Sequence, residues 1–450
     1  MENSQVKLSR LQIYICLITI FVAGIGESSK YFILEGTGSI IGKLMIGSSN
    51  LIICILFPSI LTTVGISFIK KEHGINKLAL YIFIAVLIVG IFIGIIYPFS
   101  TGTPFYPEYY LSDIIIIISP CPWIIAFPYI FKSNKVRIVL KLIIFQCFLI
   151  ALSLFIYNKG IEKSYVSNLL TSVVMAYIIT EIHINTKKFK YYLFFVIRII
   201  AILFLFKLYS LGYQRISLIA FCVIMLISLS IIAFSLSKIK LLILFISGLV
   251  LCLFLQFGFG QIINNVFDNA SYQFSKSRTY QTLIDKELFS DESSAARINE
   301  TKDCLDMMIN DFPLSLLGYG HGASYIPFLS PIITNATPDG LIHNIHFGPM
   351  LLLFRYGIFG IGFYLLLVKI LWHGFWRTVI YLKEYEQIPK ELLLIYIVAY
   401  LNLCGMWVKL HAQNTLVDPM MPICIGIVCT SLNYSTVVTQ DNENPNINSS

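Results

Sequence analysis

Charged residues are scarce in this sequence. Asp, Glu, Lys and Arg make up 12% of its 450 residues, about half the share of a water-soluble domain. There is too little polar surface here to cover a globule in water, which excludes an ordinary soluble enzyme. Other absences narrow the reading further. No GxxxxGK[ST] or GxGxxG occurs, so the chain has no loop for cradling the phosphates of ATP or a dinucleotide. No CxxC occurs, and no histidines stand four apart beside carboxylates, so no metal site is legible. Nine of the ten cysteines lie in or beside apolar segments, where cysteine acts as a small hydrophobe. Only Cys304 falls in a long hydrophilic stretch, and alone it forms no disulfide there.

What the chain does have is apolar runs. Hydrophobic residues are 57% of the total, and Ile, Leu and Phe cluster in stretches of about twenty, the length that crosses a bilayer core. The fold expected is all-α: a polytopic integral membrane protein of about twelve spans. These spans are 11–26, 44–69, 78–98, 111–131, 138–157, 166–184, 190–209, 216–236, 239–258, 347–372, 391–410 and 414–433. The net charge of +8 does not signal nucleic acid, because the Lys and Arg sit in short connecting loops. KKEHGINK, KSNKVR, NTKKFK, SKIK and the stretch from Arg377 to Lys390 recur at every second connection, whereas PFSTGTPFYPEYY has no Lys or Arg. That alternation predicts both termini in the cytoplasm, with the first helix a retained anchor.

Four regions follow: an N-terminal bundle over 1–258, a large extracytoplasmic loop over 259–342, C-terminal spans over 343–433, and a polar, disordered tail over 434–450. Within the loop, SSAARINETKDCLDMMINDFP reads as a helix with Ser293 or Ser294 as cap and Pro313 as stop. Ile298, Leu305, Met308, Ile309 and Phe312 form its apolar stripe, suited to the membrane face or to packing on the bundle. LLGYGHG at 316–322 then makes a glycine-rich turn.

The candidate functional residues gather on the outer side. Arg215 lies in a short outer turn, Arg278 and Arg297 in the large loop, and His343 where the chain re-enters the membrane. Guanidinium forks match phosphate oxygens two at a time and keep their charge. Two could hold a diphosphate and stabilise the charge growing as it departs. A neutral imidazole can take the proton from an attacking hydroxyl. This set suits transfer of a group from a lipid-linked diphosphate, with Asn344, His346 and Arg198 as supporting residues. Blander readings stand beside it. Arg215 as a snorkelling anchor is favoured about two to one on spacing alone. Arg297 could pair with Glu300 or Asp303, Arg278 could be a solvated loop residue, and His343 or Asn344 could meet free donors at a helix start. Arg198 lies within the seventh span and so should face the bundle and pair there.

Arg297, DFPLSLLGYGHG at 311–322, His343-Asn344 and RYGIFG at 355–360 follow one another in an order that resembles the O-antigen ligase and polymerase superfamily. The specific part of the resemblance covers roughly residues 210–362. It implies a GT-C-like glycosyltransferase bundle that uses undecaprenyl-diphosphate-linked glycans, with no metal or nucleotide cofactor. Arg215 and Arg297 would hold the diphosphate and His343 would orient or deprotonate the acceptor hydroxyl, with inversion at the sugar carbon. The interval from His343-Asn344 to the GxxG is longer than in typical ligases, and IGFY follows where they carry TTY-like residues. That departure favours a polymerase joining lipid-linked repeat units, for which a chain-length regulator is a further partner. The alternatives are a ligase acting on lipid A-core and a flippase. Against a flippase, PCPWIIAFP in the fourth span has no counterpart in the second half.

Overall fold

The computed structural model describes residues 7–32, 37–65, 68, 75–132, 135–156, 168–184, 197–202, 205, 215–236, 292–312, 314–328, 340–343, 345–412 and 415–430, without the side chains of 26–32, 37–46, 152–156, 184, 215, 292–295, 314 and 417. Twelve helices are numbered here: α1 Arg10–Phe32, α2 Thr37–Ile60 (continuing into a π-turn at Leu61–Gly65), α3 Ile75–Thr101, α4 Pro107–Ile118, α5 Pro120–Phe131, α6 Val136–Ile156, α7 Asn168–Ile184, α8 Arg215–Ser235, α9 Glu292–Asn310, α10 Gly348–Lys383, α11 Lys390–Leu410 and α12 Met420–Cys429. The sole β-pairing among the described residues is an isolated antiparallel bridge between Tyr325 and Ile342.

The chain is a polytopic, all-helical membrane protein. Six described stretches are long and apolar enough to cross a bilayer: Gly47–Gly65, Ile75–Thr101, Pro107–Phe131, Ile216–Ser235, Gly348–Lys383 and Lys390–Leu410. Three shorter apolar helices accompany them, at Arg10–Ile25, Asn168–His183 and Met420–Cys429. The expected span at 239–258, and most of that at 190–209, lie outside the described residues. So do residues 259–291 of the large loop and the tail from 431 onward.

α11 is the hub of the bundle. It packs on α7, α8, α10 and α12 and buries nearly every residue from Leu392 to Leu410. α3 lies at the periphery, with Tyr81, Ile88, Phe92, Ile95, Ile96 and Phe99 exposed on its outer face. An apolar face of this kind is stable in lipid and costly in water. The expected fourth span is two helices in tandem, α4 and α5, with Ser119 between them and Pro120 opening the second. Proline at the first position of a helix gives up a donor that would have no helical partner there.

α9 forms where the periodicity predicts a helix. Its orientation answers the question that the sequence left open. Ile298, Leu305, Ile309 and Phe312 are exposed, with Phe312 at 66%, whereas Glu300, Asp303 and Cys304 are buried. The helix turns Glu300, Asp303 and Cys304 inward and most of its apolar stripe outward, with Met308 packed against the core. Its C-terminal end is tied to α3, because Tyr97 Oη donates to Asp311 Oδ2 at 3.2 Å. Phe99, near the same end of α3, is 82% exposed. In proteoliposomes, a tryptophan placed by Phe312→Trp should emit in the blue and be quenched by brominated phospholipid. Strong quenching by aqueous acrylamide instead would put this face in water.

Candidate active site

The site begins with a break in α10. Gly357 takes φ 53 and ψ −130 in the middle of an otherwise continuous helix. A break of this sort strips the preceding carbonyls of their helical partners. The glycine-rich turn supplies replacements. Tyr319 N–H donates to the Phe354 carbonyl at 2.9 Å, and Gly320 N–H to the Arg355 carbonyl at 2.7 Å. The next two donors go elsewhere, His321 N–H to the Gly90 carbonyl of α3 at 3.0 Å and Gly322 N–H to Asp113 Oδ2 of α4 at 2.8 Å. Four successive backbone donors thereby join α10, α3 and α4.

Only glycine allows so close an approach. A Cβ at Gly357 would lie 2.0 Å from the Leu316 carbonyl oxygen, and one at Gly320 would lie 2.0 Å from the Gly94 nitrogen. Gly320 also has φ 82, which side-chain-bearing residues rarely adopt.

Beneath this turn lies a buried ion pair. Arg355 donates from Nη1 to Asp113 Oδ1 at 2.5 Å, and the two side chains are 3% and 2% exposed. Arg355 Nη2 reaches the other way. It donates to the His343 carbonyl at 2.9 Å and lies 3.0 Å from His343 Nε2. His343 Nδ1 stands 3.2 Å from the Ala323 carbonyl, a contact that requires the proton on Nδ1. The tautomer is thus set: Nδ1–H donates to Ala323, and the Nε2 lone pair accepts from Arg355. The ring stacks on Tyr109, with centroids 4.0 Å apart and planes at 8°. Burial first, and the Arg355 charge second, push the His343 pKa down to about 2, so the ring is neutral.

His321, in the glycine turn, is also held neutral. Burial and then Arg355 lower its pKa to about 3, and Tyr356 Oη lies 3.1 Å from its Nδ1.

A second constellation sits where α9 meets the start of α10. The Tyr325–Ile342 bridge, with two bonds of 2.9 Å, sets Ile342 and His343 beside the turn. Ile342 and Ile345 point inward. Glu300 of α9, 2% exposed, accepts the His346 backbone N–H through both carboxylate oxygens at 3.1 Å. Its Oε1 also lies 3.2 Å from His346 Nδ1 and 3.4 Å from Tyr325 Oη. The His346 side chain is 37% exposed.

The sequence-predicted residues are placed as follows. His343 lies against Arg355, with both ring nitrogens engaged, and does not stand free to take a proton. His346 is held by Glu300. Arg297 is partly buried on α9, three residues before Glu300. Arg215 opens α8, and its side chain is outside the description, as are Arg278 and Asn344 altogether. Arg198 pairs with Glu181 of α7 and lies over the Tyr177 ring at 4.8 Å, the interior pairing expected of a charge within a span.

Asp113 and Arg355 were missed as site residues. Their signal was in the sequence. Asp113 is the one charge between Glu108 and Lys132, and Arg355 the one between Asp339 and Lys369. A lone ionisable group in an apolar run points to a partner in the bundle interior.

Residues 199–365 match the family model of the O-antigen ligases. That stretch, well under half of the chain, includes Arg215, Arg278, Arg297, His343, His346 and Arg355, while Asp113 lies outside it. The match supports the O-antigen ligase and polymerase superfamily for that stretch. No curated protein matches the chain.

The lowered pKa values of His343 and His321 fix the sign of an acid effect. An unfolded histidine takes a proton near 6.5, whereas these two refuse it until far lower pH. Their contribution to stability is complete above 6.5 and is lost as pH falls below it. The unfolding midpoint in detergent should therefore drop between neutral and mildly acidic pH, and drop less in His343→Gln. A flat profile across that window would contradict the assignment.

Proposed function

Starting from an O-antigen ligase family stretch at residues 199–365, we propose that this chain is a polysaccharide polymerase. It joins undecaprenyl-diphosphate-linked oligosaccharide repeat units at the periplasmic face of the inner membrane, with no metal and no nucleotide. The observation that carries this reading is that the family stretch includes the segment from Arg297 to Arg355. In that segment a guanidinium, two imidazoles and a buried carboxylate meet at one end of an apolar bundle. Such an end suits a substrate with its polyprenyl tail in lipid and its diphosphate and sugars in water.

In this reading Arg215, Arg278 and Arg297 grip the diphosphate. Their charge stabilises the leaving group as the bond from the anomeric carbon to the phosphate oxygen breaks. The acceptor hydroxyl attacks from the opposite face, which inverts the anomeric centre. The electron pair of the broken bond leaves with undecaprenyl diphosphate. His343, fixed by Arg355 and Ala323, presents a rigid ring edge against which the acceptor sugar is oriented. Asn344 and Arg198 take supporting roles, Arg198 through its pair with Glu181. A chain-length regulator would act from outside this chain.

A second reading has one observation in its favour, the ligase description of the matched family. A ligase would transfer the finished glycan to lipid A-core. Surface lipopolysaccharide from a deletion strain separates the two. Complementation with the wild-type chain should give a ladder. The deletion, Arg297→Ala and Arg215→Ala, at matched membrane levels, should give core capped with a single unit. Bare core in the deletion would support the ligase, and a full ladder in both arginine variants would remove them from the site.

A further inference from the structure

The acceptor hydroxyl must lose a proton as the new glycosidic bond forms, and His343 is badly placed to take it. Its Nδ1–H is spent on Ala323 and its Nε2 lone pair on Arg355. Using that lone pair would leave the buried guanidinium short of an acceptor.

His346, three residues further along, has the opposite character. Its Nδ1 faces the buried Glu300 carboxylate at 3.2 Å, which holds the proton on Nδ1 and leaves the lone pair on Nε2. Among the described residues nothing bonds to Nε2, and the side chain is more than a third exposed. Glu300 also binds the backbone N–H of His346 through both oxygens. One carboxylate thereby fixes the position of the residue and the tautomer of its ring. This is the arrangement of a base whose far nitrogen is held by an acid and whose near nitrogen is free for substrate.

We infer that His346 is the general base of the glycosyl transfer and that Glu300 is its positioning residue. This inference rests on the glycosyl-transfer reading above. The acceptor O–H proton passes to His346 Nε2 while the acceptor oxygen bonds to the anomeric carbon. The bond from that carbon to the diphosphate breaks, and its electron pair departs with the lipid diphosphate. The imidazolium, paired with Glu300, then returns its proton to water. Arg297 and Glu300 are three residues apart on α9 and share a face, so the diphosphate grip and the base assembly are carried by one helix. Glu300 from α9 lies against the imidazole, and Tyr325 from the turn segment reaches the same carboxylate oxygen at 3.4 Å. Arg297 and Asp303 flank Glu300 on α9.

The plainer alternative is that Glu300 only clamps the chain at the start of α10, where Phe347 provides no side-chain cap. The test must therefore read proton transfer as well as activity. The full-length chain in proteoliposomes is given the lipid-linked saccharide pool that accumulates in cells lacking it, and products are measured by mass spectrometry over a range of pH. His346→Gln should slow turnover roughly 10²- to 10⁴-fold, the range of a general base, with little change in KM, and should erase the acid limb of the rate profile. Added imidazole should restore part of the activity of His346→Gly. Glu300→Gln, which keeps the shape and removes the charge, should move the acid limb to lower pH, because the imidazolium loses its counter-charge.

A folded His346→Gln within threefold of wild type, or a Glu300→Gln profile with its acid limb unmoved, would overturn the inference. If His346→Gln fails to fold, the Glu300→Gln profile decides. Absence of transfer by the wild-type chain would count against the glycosyl-transfer reading itself, and the inference falls with it.

Discussion

The site depends on one buried ion pair. Asp113 and Arg355 are distant in sequence, both almost fully buried, and neither could remain charged in an apolar bundle without the other. Their pairing closes α4 onto the first half of α10. The spare groups of the pair then fix everything around it. The second oxygen of Asp113 holds the glycine turn through Gly322. The second amino group of Arg355 holds both the backbone and the ring of His343. Removing one partner of such a pair typically costs about 3–5 kcal/mol, because an uncompensated charge stays behind. Here the loss would also release the turn and the histidine.

The second constraint is geometric. Arg355 can serve both Asp113 and His343 because α10 breaks two residues later, at Gly357. The break is tolerable because the glycine turn answers the carbonyls that it frees. The glycines of LLGYGHG and of RYGIFG are therefore two halves of one joint, and each explains the other. The same turn brings His321 against α3 and sets the Tyr325–Ile342 bridge from which His343 and His346 project. Irregular backbone within a membrane protein must be paired inside the protein, and this joint is such an arrangement.

Much of this was legible in the sequence, unevenly. Scarce charge and apolar runs of bilayer length disclose the membrane class, and the structure agrees in its six long apolar helices. The periodicity of residues 292–312 gives α9, and Pro313 its end. The direction of the α9 stripe was not legible, because amphipathicity says that a helix has two faces and not which of them meets lipid. His343 and His346 were visible as polar groups at the start of a span. Their different partners were not, since His343 meets Arg355 inside the next helix and His346 meets Glu300 on another helix. Asp113 was hidden by its neighbours: in LSDIIIII the isoleucines dominate the pattern, and no local rule pairs it with a residue of α10.

The most direct test of this account is a double-mutant cycle across the pair, with Asp113→Asn, Arg355→Gln and the double variant unfolded reversibly in bicelles. Each single change should destabilise the full chain, and the double variant should be less destabilised than the sum of the two. The expected difference is a coupling of about 0.5–3 kcal/mol, as for groups in contact. Additive losses would mean that Asp113 and Arg355 act independently, and the site could not then be built on their contact.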